Sequence, residues 1–99
     1  MKPVLLFSDD LPQLLPTVTA AARRLPELEF DFCSDVGQVL RKLRLTNFSA
    51  MVIYLGSVDQ GYMLLLQRLR SEPVYSNLPV IVYKEIPDID ALTGFLGSI

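Results

Sequence analysis

Ninety-nine residues, 51% apolar and 20% charged, supply one packed core and leave no chain for a second. Nine Lys and Arg against eleven Asp and Glu give a formal charge of −2, which excludes the basic footprint of a nucleic-acid or anionic-membrane binder. There is no histidine and a single cysteine, Cys33. The usual general base, the commonest zinc ligand and an internal disulfide are therefore missing, and a reducing compartment fits.

The opening apolar run, Val4 to Phe7, stops at Ser8-Asp9-Asp10 and is too short for a secretory signal. No stretch approaches the roughly 18 apolar residues of a membrane span. The expectation is a single cytoplasmic domain, residues 1–99, with no membrane or nucleic-acid partner.

Val4 to Phe7 has the unbroken pattern of a strand buried on both faces. Pro12 suits the first turn of a following helix. Pro16 does not, because its ring strikes the carbonyl of Pro12, so this helix is expected to be kinked or to start late. Val18, Ala21, Ala22 and Leu25 then share one face, and Pro26 stops the segment. Leu28-Glu29-Phe30-Asp31-Phe32-Cys33 alternates apolar and acidic, which predicts an edge strand with one wet face. Cys33 at its end reads as a small core residue. Ser34 or Asp35 can cap a second helix, in which Val36, Val39, Leu40 and Leu43 recur at i, i+3, i+4 and i+7. Arg41, Lys42 and Arg44 lie off that stripe as a solvated face.

Ala50 to Leu55 is a third strand without alternation, and so central. A loop spans Gly56 to Gly61. Tyr62 to Arg70 is an apolar helix closed by Ser71-Glu72-Pro73, and Met63, Leu64, Leu65 and Leu66 exceed what one buried face needs, which suits self-association. Leu78 to Tyr83 is the fourth strand, with Pro79 at its start, where a missing donor is tolerated. After a loop from Lys84 to Asp88, a short last helix carries Ala91, Leu92, Phe95 and Leu96, weakened by Gly94 and Gly97.

Strands alternating with helices predict an α/β fold with a doubly wound parallel sheet and right-handed crossovers. Ligands gather beyond the carboxyl ends of such strands. The carboxylates there, Asp9 and Asp10, either form a weak Mg²⁺ site or simply end the strand and cap the helix.

Three stretches carry a resemblance. They are Val4 to Asp10 with Pro12, Cys33-Ser34-Asp35-Val36-Gly37-Gln38-Val39-Leu40, and above all Gln60-Gly61-Tyr62 through Leu65-Leu66-Gln67-Arg68-Leu69-Arg70-Ser71-Glu72-Pro73 to Leu78-Pro79-Val80-Ile81-Val82. In order and spacing these resemble the receiver domain of bacterial two-component response regulators, over most of residues 3–84. The resemblance implies a flavodoxin-like sheet of strand order 2-1-3-4, with the family's fifth strand and its helix missing or truncated. It also implies phosphoryl transfer from a kinase histidine to an aspartate ending the third strand, beside Mg²⁺ held by the acidic pair. A hydroxyl after the fourth strand and a lysine after the fifth would bind the phosphoryl oxygens.

The acidic pair matches at Asp9 and Asp10. The phosphoacceptor does not: Ile53, Tyr54 or Leu55 stands there, depending on alignment. Asp59 is the one acid in the following loop and the only displaced substitute. Lys84, beside Tyr83, occupies the hydroxyl position and could serve as a built-in cation for Asp9 and Asp10. The expectation is an atypical receiver, not an enzyme, acting in signal transduction by phosphorylation-independent contact with a sensor kinase, another regulator or a fused output domain. No cofactor is expected beyond weak Mg²⁺. The alternatives are a working phosphorelay receiver using Asp59 and an unrelated α/β scaffold or oligomerisation domain. A four-stranded sheet would leave Leu78–Tyr83 as an apolar edge, covered either by residues Leu92 to Ile99 or by a second chain in a homodimer.

Overall fold

A computed structural model describes residues 2–55 and 61–99. The elements are β1 (Lys2–Ser8), α1 (Leu11–Arg24), β2 (Leu28–Cys33), α2 (Val36–Leu45), β3 (Ala50–Tyr54), α3 (Gly61–Ser71) and, after a 3₁₀ turn at Pro73–Tyr75, β4 (Val80–Tyr83) and α4 (Ile89–Gly97). All the strand pairs are parallel, and the order is β2-β1-β3-β4. The architecture is consistent with a flavodoxin-like fold.

The strand positions follow from the side chains. In β1, Val4 to Ser8 are all buried, and so is every residue of β3. Continuous apolar runs of this kind suit central strands covered by helices on both faces. β2 alternates and lies at one edge. β4 lies at the other, with all of its residues half-buried.

Two cores flank the sheet. On one face, Leu5, Phe7, Met51 and Ile53 pack under Val39 and Leu43 of α2 and Leu65 and Leu69 of α3. On the other, Val4, Leu6, Val52 and Tyr54 pack under Leu14, Val18 and Ala21 of α1 and Leu92 and Leu96 of α4.

α1 corrects the expectation of a late start. It begins at Leu11, takes Pro12 in its first turn and runs on through the exposed Pro16. Pro16 has no N–H to offer the Pro12 carbonyl, and such a proline costs a helix about 3 kcal/mol. Leu14, Val18 and Ala21 are buried to 2% exposure or less. At about 1.5–3 kcal/mol for each large apolar side chain, their burial outweighs that cost.

α2 is capped by Asp35, whose Oδ1 accepts from Gly37 N at 3.2 Å. α4 turns back after β4 and lies beside α1. A crossover carrying the sheet outward from β4 would lie on the α2/α3 face instead. The last helix thus covers a sheet face, and among the described residues no strand lies beyond β4.

Candidate functional site

Because the strands are parallel, their carboxyl ends meet on one rim. Register places Ser8 of β1 opposite Tyr54 of β3, and Tyr54 opposite Tyr83 of β4. That rim gathers Asp9, Asp10, Tyr54, Leu55, Tyr83 and Lys84. Asp59 lies outside the described residues.

The first strand ends in a tight hydrogen-bonded turn. Ser8 is fully buried, and its hydroxyl accepts from Asp10 N at 2.9 Å. Asp10 is the N-cap residue of α1, yet its side chain makes no cap hydrogen bond. Its half-buried carboxylate therefore does not do the capping that the simpler reading of the pair assigned to it. Asp9 is exposed.

The end of β3 carries no carboxylate. Tyr54, 4% exposed, turns toward α1 and donates its hydroxyl hydrogen to Gln13 Oε1 at 3.3 Å. Leu55, 7% exposed, turns the other way into the α2/α3 core. Both side chains are structural parts of the two cores, and neither carries a carboxylate.

Tyr83 is half-buried against the α1/α4 core, and burial raises its phenol above the usual tyrosine range. Lys84 is exposed. Three ion pairs join described residues, Arg24–Asp90, Lys42–Asp31 and Arg68–Glu72, and neither Asp10 nor Lys84 belongs to them. Oxygen donors for a hard cation are present at Asp9 and Asp10, the donor type that Mg²⁺ takes. Among the described residues, no group of three or more His, Cys, Asp or Glu converges as a metal cage.

Several contacts were not legible in the sequence. Gln13 fixes the rim without belonging to any motif, and the Ser8 hydroxyl bond to the Asp10 amide is not written in the spacing of its stretch. Lys42, read as solvated, is half-buried, and its ammonium donates to both carboxylate oxygens of Asp31 at 2.8 and 3.0 Å. The wet face of β2, the strand that leads directly into α2, was the only hint of that pair. Cys33 packs as expected. It is 3% exposed, its Sγ donates to Leu6 O at 3.7 Å, and burial pushes its thiol up to about 11. A hollow lined by Thr46, Asn47, Phe48, Tyr75 and Asn77 lies at the amino ends of the strands, opposite the rim.

No protein-family model matches the sequence, and no curated protein matches it at a significant level. Among the described residues no helix is long and apolar enough to cross a membrane.

Proposed function

We propose that the chain is a receiver-like module that works in cytoplasmic signal transduction by phosphorylation-independent protein–protein contact. A sensor kinase, another regulator or a fused output domain is the partner, and no bond-making activity is involved. One observation carries the reading. A parallel 2-1-3-4 sheet presents an acidic pair after β1, and β3 ends in buried Tyr54 and Leu55, where the resemblance calls for an acceptor aspartate. An acyl phosphate needs a carboxylate nucleophile, and neither a phenol held by Gln13 nor an isobutyl group supplies one. Within this reading Lys84, on the same rim as Asp9 and Asp10, supplies positive charge in place of a bound metal.

The test is to treat the protein with acetyl phosphate and Mg²⁺, and separately with beryllofluoride and Mg²⁺. Intact mass and amide chemical shifts are then recorded. The expected result is no phosphoryl adduct and no shift change at Tyr83 and Lys84. A stoichiometric adduct overturns the proposal and moves the assignment to a phosphorelay receiver using Asp59. For Lys84, Mg²⁺ titration of Lys84→Ala should show tighter binding than the wild type, and unchanged affinity removes its role as a stand-in cation.

A further inference from the structure

The end of the sheet opposite the rim is built from different chemistry. Two adjoining hollows share Leu43, Thr46, Asn47, Val74 and Tyr75, between the end of α2 and the 3₁₀ turn. The outer one, about 440 Å³, is flanked by Leu45 and Val74. These are 80% and 77% exposed, the highest values for large apolar side chains among the described residues. The inner one, about 210 Å³, adds the buried Phe48 together with Ser49 and Asn77.

The polar groups here are unspent. Among the described residues, the side chains of Thr46, Asn47, Ser49 and Asn77 make no hydrogen bond within the protein. A side-chain amide offers a donor and an acceptor side by side, the complement of a main-chain peptide unit. Arg44 is the one charged residue lining either hollow. Arg41 stands one turn back on the same outer face of α2 and lines a further hollow on the other side of Leu45. Both arginines are exposed, and neither joins an ion pair among the described residues. α2 itself contains no acid. Of the acids on the flanking segments, Asp31 is taken by Lys42 and Glu72 by Arg68 at 3.6 Å. Asp35 caps the far end of α2, about 15 Å away. Glu29 of β2 is left as one unpaired acid against two unpaired arginines.

We infer that this end of the molecule binds an extended acidic segment of a partner protein. A carboxylate of the segment meets Arg41 and Arg44, a neighbouring apolar side chain lies between Leu45 and Val74, and its main chain pairs with Asn47 and Asn77. The inference rests on the reading of the chain as a module that acts by contact, and it names the surface and the chemistry of that contact. Size argues against a free small molecule. The inner hollow falls below the roughly 300–1,000 Å³ of small-molecule sites and suits a single side chain. Charge argues for the acid. A basic segment is repelled by the two arginines, and a second copy docked by a two-fold axis sets the same arginines against each other. The last carbonyls of α2 carry partial negative charge, so the carboxylate sits on the outer face of the helix and the apolar residue takes the hollow.

Selection of a displayed random dodecapeptide library on the immobilised whole chain tests this, because multivalent display retains weak binders. The selected sequence is then made as a blocked free peptide and titrated into the isotope-labelled protein. The expected consensus places Asp or Glu close to Leu, Ile, Met or Phe. Amide shifts should move at residues 45–49 and 74–77 and stay still at residues 8–10 and at Tyr83. Binding should weaken severalfold between about 50 and 500 mM salt. Arg44→Glu should weaken it about tenfold, since reversal removes an attraction and adds a repulsion, and Leu45→Ser should lower it to a similar extent. Both positions are exposed, so both variants should keep the wild-type unfolding transition. No enrichment, a consensus without an acid, shifts confined to the rim, or undiminished binding by Arg44→Glu each overturn the inference. Shift mapping on the wild type decides the matter even if a variant misfolds. The two proposals fail separately, because a phosphoryl adduct is read at the rim and peptide binding at the opposite end of the strands.

Discussion

Pro16 lies in the body of α1, five residues past its start, with an exposed ring. Replacing it by alanine restores an N–H to the Pro12 carbonyl and removes the ring from that oxygen. The helix-interior gain is about 3 kcal/mol. Against it stands the flexibility returned to the unfolded chain, about 0.4–1 kcal/mol. No buried contact is lost, so Pro16→Ala should stabilise by about 2 kcal/mol. For a domain of this size that raises Tm by roughly 8–16 °C. Pro12→Ala is the control. Pro12 sits in the first turn, where no intrahelical donor is needed, so its replacement should change stability by less than about 0.5 kcal/mol. Thermal and urea unfolding read both variants, with an unchanged urea m value required. A Pro16→Ala protein no more stable than wild type would refute the claim that core packing holds α1 against a local penalty.

Two further outcomes follow from burial. The Cys33 thiol titrates near 11 in the fold against an ordinary value of 9.0, so between these pH values the folded state binds more protons than the unfolded one. That contribution to stability is complete below pH 9 and is lost as pH rises through about 11. Cys33→Ala should flatten this part of the stability–pH curve, and an identical slope in the variant would sink the assignment. Leu96, 1% exposed in the α1/α4 core, should cost about 2–5 kcal/mol as Leu96→Ala in urea unfolding. A loss below about 1 kcal/mol would mean that α4 is a loose appendage.

Strand order was legible because burial writes itself into composition. Alternation in Leu28–Cys33 marked an edge, and the unbroken run Ala50–Leu55 marked the centre. The course of α1 was not, because a local penalty at Pro16 competes with side chains whose burial only the assembled sheet provides. The side taken by α4 was equally hidden. Its docking depends on Leu92 and Leu96 meeting the α1 face. Those are meetings between segments distant in sequence. At the rim, the absence of a carboxylate at Ile53, Tyr54 and Leu55 could be read directly, whereas the Tyr54–Gln13 bond, spanning 41 positions, could not. The rule that Asp ends a strand by capping the next helix held for Asp35 and failed for Asp10, where the Ser8 hydroxyl takes the Asp10 amide.

The end of β3 shows why a single substitution should not create a phosphoryl acceptor. Tyr54 and Leu55 diverge, one into the α1/α4 core and the other into the α2/α3 core. Tyr54→Asp removes a ring that is 4% exposed, together with its bond to Gln13, a truncation worth about 3–5 kcal/mol. Leu55→Asp puts a carboxyl into a site that is 7% exposed among Phe7, Ile53 and Leu65. There a charge is costly and the group stays protonated, which makes it a poor nucleophile. Total stabilities of small domains are only about 5–15 kcal/mol, so both variants should unfold at much lower urea and take no phosphoryl group from acetyl phosphate. If Tyr54→Asp or Leu55→Asp keeps wild-type stability and becomes phosphorylated, the strand end is an open site after all. The two side chains would then be replaceable fillers of a preserved phosphoryl pocket, and not the packing that joins the two cores.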